Sequence, residues 1–198
     1  MSHLFEVMPL IKSIGLLGIF FFVFAESGLF FGFFLPGDSL LFTAGILAGA
    51  GYFNLVFLFF GAFLMAVLGD SFGYYFGKKI GPKIFSKPNS IFWNKKNIEK
   101  TSAFFDKHGD KAITLARFVP IVRTFIPIMA GVGSMKYKNF LFWNILGSMV
   151  WTGSMIFLGF FLGNYVKDID KYILPIVFVI IFISCIPVLF QFFNKKNK

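Results

Sequence analysis

Five ionisable side chains stand inside apolar stretches of the 198-residue chain: Glu26, Asp38, Asp70, Arg117 and Arg123. On insertion scales a charge at the centre of a bilayer costs about 2.5–3.5 kcal/mol, so unpaired charges in such segments are expensive. We therefore expect the acids to pair with the arginines. Such a cluster either fixes helices to one another or binds an anion through its arginines, while its acids carry protons.

Arginine suits the anion-binding role because its planar guanidinium fits carboxylate and phosphate oxygens and keeps its charge. We assign substrate binding to Arg117 and Arg123, and proton coupling to Glu26 and Asp38. A proton taken up by either acid would release an arginine for the substrate. Asp70 has a secondary role, and we expect it to bond Ser71 or a neighbouring helix.

An internal repeat relates the acids to the arginines. A shift of 86 residues without gaps places Ala44-Gly45 on Ala130-Gly131 and Asp38 one residue from Arg123. This match predicts that Asp38 and Arg123 occupy equivalent positions in two halves that face each other.

The composition identifies the setting as a membrane. Hydrophobic residues make up 57% of the chain, charged residues only 14%, and the mean hydropathy is +0.78. Soluble domains average about 25% charged residues, so an ordinary soluble enzyme is excluded. With one cysteine, and with both histidines outside the apolar segments, we expect no metal site, no cofactor and no enzyme activity.

Six apolar segments are long enough to be considered as membrane elements. Two of them are broken by proline: Pro36-Gly37 interrupts the second, and Pro120 and Pro127 interrupt the fourth, which also contains Gly131. Proline cannot continue a helix and frees backbone groups, which suits a chain reversal inside protein. The segments are residues 10–25, 27–50, 52–77, 112–134, 139–165 and 172–193.

The basic residues predict the orientation through the positive-inside rule. Residues 78–111 carry nine Lys against three acids, a net charge of +6, and the chain ends in a Lys-rich tail. Both are expected in the cytoplasm, together with the N-terminus. With these parts in the cytoplasm, the number of membrane crossings predicts that residues 27–50 and 112–134 do not cross but form re-entrant hairpins. The two hairpins are predicted to enter the membrane from opposite faces. Six plain spanning helices are the rival arrangement.

The predicted fold is thus an all-α membrane protein that forms a single membrane domain over 1–198. Four transmembrane helices combine with two facing re-entrant hairpins in an inverted repeat, and a basic interfacial segment lies in the cytoplasm. Inverted repeats are typical of secondary transporters, whose sites lie near the midplane. The glycine stripes of the long helices are expected to serve helix packing. The units are repeat 1 at 27–77, the basic segment at 78–111, repeat 2 at 112–163 and the final helix at 172–193.

The combined motifs resemble the DedA family, whose core is also called the VTT or SNARE-associated domain. They cover about residues 26 to 163 and comprise Glu26, Pro36-Gly37-Asp38, Gly69-Asp70-x-x-Gly73-Tyr74-Tyr75-x-Gly77, Arg117-Phe118-x-Pro120-x-x-Arg123 and Gly131. The resemblance implies a bacterial inner-membrane protein that depends on the proton motive force and recycles undecaprenyl phosphate. It also implies that the acidic pair and the arginine pair are required for function.

Several functions remain open from the sequence. The leading hypothesis is translocation of an anionic lipid phosphate, with membrane lipids and protons as partners. The alternatives are a proton-coupled transporter of a small solute or ion, a general phospholipid scramblase, a membrane lipid phosphatase, and a structural protein without transport. No nucleic acid is expected as a partner, and the substrate, the direction of transport and the existence of a homo-oligomer stay undecided.

Overall fold

The structure is a computed structural model that describes residues 2–29, 37–84 and 109–165. Within those residues the secondary structure is entirely helical. This confirms the all-α class. The predicted final helix at 172–193, most of the basic segment and Pro36 lie outside the described residues. The helices are α1 Ser2–Gly28, α2 Gly37–Gly49, α3 Leu55–Ile84, a 3-10 helix Gly109–Lys111, α4 Ala112–Ala116, α5 Pro120–Val132 and α6 Tyr137–Tyr165.

Among the described residues, two helices are long and apolar enough to cross a membrane: Leu55–Lys79 within α3, and α6. They pack antiparallel, because Phe59 contacts Phe157 at one end while the Asn144 side chain donates to the Val67 carbonyl nearer the other. Their outward surfaces are apolar, as lipid contact requires. The exposed side chains include Val56, Phe57, Phe60, Leu64, Leu68, Phe72, Phe142, Met149, Val150, Leu158 and Phe161.

Helix α1 runs parallel to α3 and ends beside its middle. Gly15 lies next to Phe53, and Gly28 packs on Gly69, the fifteenth of the 30 residues of α3. Helix α2 runs in the opposite direction to α1, since its Gly45 and Gly49 pack in turn on Ile156 and Phe160 of α6. We call α1, α2 and the connection between them the first hairpin.

The boundaries of this hairpin differ from those predicted. The sequence predicts a crossing helix over residues 10–25 and a hairpin over 27–50, whereas the structure has one helix over Ser2–Gly28 and a second over Gly37–Gly49. Nothing inside α1 breaks the helix, so its apolar run looks like a spanning helix although its end packs against the centre of a neighbour.

The second hairpin consists of α4, residues 117–119 and α5. Helix α4 runs parallel to α6, because Asn139 bonds Asp110 and the Thr114 hydroxyl donates to the Trp143 carbonyl. Pro120 sets the reversal: a proline disfavours helical backbone at the preceding residue, and Val119 is extended with φ −115° and ψ 106°. The predicted break at Pro120 is therefore confirmed, while Pro127 lies inside the continuous helix α5.

Each hairpin packs its returning helix on the long helix of the other repeat, and glycines form both contacts. On one side, the backbone of α2 packs closely against Gly159 and Gly163 of α6. On the other, Gly77 of α3 meets the backbone of α5, and Gly131 of α5 meets that of α3 at Tyr74. The expectation that the glycine stripes serve helix packing is confirmed.

Candidate functional site

Arg123 of α5 joins both arms of the first hairpin. Its Nη1 donates to Asp38 Oδ1 at 2.7 Å, and its Nη2 donates to Glu26 Oε1. The prediction that Asp38 and Arg123 face each other is therefore confirmed. Glu26 binds the same guanidinium. We call Glu26, Asp38 and Arg123 the Arg123 cluster.

Local structure explains how the two acids converge. Glu26 lies in the last turn of α1 and Asp38 in the first turn of α2, so both stand where the first hairpin reverses. A carboxylate in the first turn also interacts favourably with the helix dipole. A Cβ at Gly37 would overlap the Glu26 carboxylate, so the glycine lets this carboxylate lie against the start of α2.

Arg117 occupies a second and more enclosed cluster. Its Nη2 donates to Asp70 Oδ2 and, at 2.7 Å, to Asn144 Oδ1. The Asn144 amide donates in turn to the Val67 carbonyl of α3 at 3.1 Å. The side chains of Arg117 and Asp70 are each only 5% exposed. These three residues, the Arg117 cluster, tie the reversal of the second hairpin to α3 and α6.

Trp151 lies between the two clusters, and it is the fifteenth of the 29 residues of α6. The centre of its ring is 5.1 Å from Arg123 Cζ and 5.7 Å from Arg117 Cζ, within the range of cation–π attraction. Its indole N–H donates to Asp38 Oδ1 at 2.6 Å. One buried side chain thus contacts both arginines and one acid.

The two acids of the Arg123 cluster differ in exposure, and both clusters are incompletely hydrogen-bonded. Asp38 is 40% exposed, whereas Glu26 is 1% exposed. Among the described residues, Glu26 Oε2 and the Nε atoms of Arg117 and Arg123 are buried without a hydrogen-bond partner. Buried polar atoms without partners are costly and are uncommon away from functional sites. Each arginine therefore retains a donor for a further acceptor.

The sequence identified the ionisable members of the site but not its neutral members. Of the two partners expected for Asp70, the neighbouring helix is confirmed, since Arg117 at the end of α4 donates to Asp70. The Ser71 hydroxyl donates to the Val67 carbonyl. Asn144 and Trp151 are absent from the sequence predictions, because the argument from the cost of buried charge selects only ionisable residues. The signal was present, since a neutral polar residue in an apolar segment also needs a hydrogen-bond partner.

Metal-binding potential is limited in the part of the chain that the structure describes. There, no group of three or more His, Cys, Asp or Glu side chains is placed to hold a metal ion. Carboxylates and guanidiniums in mutual contact instead form a site that can bind an anion and exchange protons.

The long apolar helices and the buried ionic site define a helical membrane protein. A family model described as the VTT domain matches residues 35–161. Protein DedA of Escherichia coli (strain K12) is 39% identical over 181 residues, which cover 90% of this chain and 82% of that protein. The chain therefore belongs to the VTT-domain family, the DedA family.

Other relatives support the same assignment. An uncharacterized membrane protein of Mycobacterium leprae (strain TN) is 42% identical over 167 residues, covering 84% of this chain and 74% of the relative. Inner membrane protein YghB of Escherichia coli (strain K12) is 32% identical over 155 residues, covering 78% and 71% respectively. No solved structure matches the chain significantly. The names of these relatives and the apolar helices both place the chain in a membrane.

Proposed function

We propose that this protein translocates an anionic lipid phosphate across the bacterial inner membrane, driven by the proton motive force. The observation that carries the proposal is Arg123, which bridges Glu26 and Asp38 where two helical hairpins meet. Undecaprenyl phosphate is the substrate that the family resemblance favours. The process moves a lipid and makes no covalent bond, so we propose that the protein is not an enzyme.

A re-entrant topology explains why the hairpins end where they do. Helices α3 and α6 cross the membrane in opposite directions, and the first arm of each hairpin runs parallel to one of them. Gly28 packs beside the middle of α3, and Arg117 packs beside Gly147 of α6. We propose that the hairpins enter from opposite faces and that their charged ends meet at the midplane, as in inverted-repeat transporters.

The orientation follows from the basic segment after α3, which we place in the cytoplasm with the Lys-rich tail. Because α1 is parallel to α3, Gly15 then lies towards the outer face. The predicted cytoplasmic position of the N-terminus stays a prediction. Cysteine-accessibility labelling near each terminus tests it.

The arginines supply the affinity for a phosphate headgroup. We propose that Arg123 exchanges Asp38 for a phosphate oxygen, and that the unpaired Nε groups of Arg117 and Arg123 contribute donors. Asp38 is the partner that leaves, because it is the exposed acid of the cluster. The lipid tail stays among the apolar outer surfaces of the helices.

The charges of the two clusters support coupling to protons. Three carboxylates, Glu26, Asp38 and Asp70, face two guanidiniums, so the fully ionised clusters carry three negative and two positive charges, a net charge of −1. A phosphate adds at least one further negative charge. Protons taken up by the carboxylates would offset this charge, and the membrane potential contributes about 2.3 kcal/mol per charge per 100 mV.

The test uses purified protein in liposomes with labelled undecaprenyl phosphate on one leaflet, with and without a pH gradient. We expect protein-dependent movement of the label that the gradient accelerates. Parallel vesicles with labelled phosphatidylglycerol, or with trapped inorganic phosphate, distinguish a scramblase or a small-anion transporter. No lipid movement under any gradient would contradict the proposal.

A further inference from the structure

Asp38 accepts two hydrogen bonds on one oxygen, from donors of different kinds. Arg123 Nη1 lies 2.7 Å from Asp38 Oδ1, and Trp151 Nε1 lies 2.6 Å from the same atom. The guanidinium is charged and has further donors to offer. The indole N–H is neutral, is a single donor, and belongs to a ring that is only 2% exposed. The two donors therefore respond differently when an anion reaches the site.

We propose that Trp151 is a positioning residue that allows Arg123 to exchange Asp38 for the anion. When Arg123 turns to a phosphate oxygen, the indole N–H keeps the Asp38 carboxylate in place. The inference rests on the proposed function, because it deepens the role of the same site. Trp151 does not contact the substrate; it acts through Asp38 and the two arginines.

The packing of Trp151 supports this role. The residue lies at the middle of α6, between both arginines, and it belongs to the buried core cluster that α1, α2 and α3 also form. A side chain fixed in this way cannot follow Arg123 when its guanidinium moves. The indole N–H therefore stays at Asp38, and the ring face stays available to the guanidiniums throughout the exchange.

Substitution of the indole separates its two contributions. Trp151→Phe keeps an aromatic face for the arginines and removes the N–H, so Asp38 would compete more strongly for Arg123. A hydrogen bond to a charged group corresponds to about a tenfold change in an equilibrium constant. We expect the lipid concentration that gives half-maximal transport to rise about tenfold, with little change in the maximal rate. A purely structural role would lower the maximal rate together with the amount of folded protein.

Trp143→Phe is the matched control, because Trp143 lies on the same helix and packs in the other core cluster. We expect wild-type half-saturation for this variant. If Trp151→Phe and Trp143→Phe have the same half-saturating concentration, the inference is wrong while the proposed function stands. If the wild-type protein moves no lipid, the proposed function fails, and a second measurement decides the inference.

The second measurement is tryptophan emission, which needs no transport. The chain contains three tryptophans, so Trp93→Phe/Trp143→Phe leaves Trp151 as the sole fluorophore. Dodecyl phosphate titrated into this protein in detergent should change the emission saturably, because the guanidiniums move on the ring face. The Trp93→Phe/Trp151→Phe protein should not respond. An unchanged Trp151 emission, or an equal response in both proteins, would overturn the inference.

Discussion

The Arg123 cluster and the Arg117 cluster use the same chemistry in different settings. Arg117 is held by Asp70 and Asn144, and the ion pair is almost completely enclosed. Arg123 is held by Glu26 and Asp38, and Asp38 is 40% exposed. An enclosed ion pair fixes a structure, whereas a pair with one accessible partner can exchange it. In the proposed function, Arg117 therefore anchors the second hairpin while its Nε faces the anion, and Arg123 is the arginine that exchanges its partner.

The largest effect on stability is expected when one member of the buried ion pair between Arg117 and Asp70 is removed. Arg117→Leu leaves Asp70 buried without its cation, which should lower stability by about 3–5 kcal/mol. Asp70→Leu/Arg117→Leu removes both charges and should recover most of that loss. Thermal unfolding of the purified proteins in detergent measures both. A double variant no more stable than Arg117→Leu would contradict the anchoring role.

The next effect concerns the glycine contacts of the two hairpins. A Cβ at Gly45 would overlap the Ile156 carbonyl, and a Cβ at Gly131 would overlap the Tyr74 carbonyl. Gly45→Ala and Gly131→Ala should each destabilise the protein by about 1–3 kcal/mol, because rigid backbone must shift. Gly18→Ala is the control, since nothing lies within 4 Å of its added methyl group. Unequal losses in thermal unfolding would show that the two repeats do not pack equivalently.

A smaller effect in free energy, but a large one in function, is expected at Arg123. Lysine keeps the charge but cannot bridge Glu26 and Asp38 with a planar pair of donors. Arg123→Lys should fold and should transport at least about tenfold more slowly, which corresponds to about 1.4 kcal/mol. Lys136→Arg, an exposed change outside the cluster, should leave the liposome rate unaltered. A wild-type transport rate in Arg123→Lys would show that the Arg123 guanidinium is not needed to bind the substrate.

The smallest effect on stability is expected at Asp38, because this acid is partly exposed. Asp38→Asn keeps a carbonyl acceptor for Arg123 and removes the ionisable group. Since the exchange of Arg123 is proposed to involve a proton on this acid, transport should lose its acceleration by a pH gradient. Liposome rates with and without the gradient, beside unfolding curves, measure this. If the ratio of the rates with and without the gradient keeps its wild-type value, Asp38 is not the proton-coupling acid, and Glu26 remains as the candidate.

The sequence predicted the site better than it predicted the path of the chain. The ionisable residues were conspicuous because charges in apolar segments need partners, and the repeat related Asp38 to Arg123. For Asp70 the sequence left Ser71 and a neighbouring helix open, and the partner is Arg117 at the end of the neighbouring helix α4. The end of helix α1 beside the middle of α3 was not predictable, since hydrophobicity reports that a segment is buried but not where its end packs.

Direct binding tests the central claim, that Arg123 is the group that exchanges an acid for an anionic lipid phosphate. Equilibrium binding of labelled undecaprenyl phosphate to purified protein in detergent would be compared for the wild type, Arg123→Lys and Lys136→Arg. The account predicts saturable binding that weakens about tenfold in Arg123→Lys, as expected for a lost hydrogen bond to a charged group, and stays unchanged in Lys136→Arg. Equal affinity in all three proteins would contradict it.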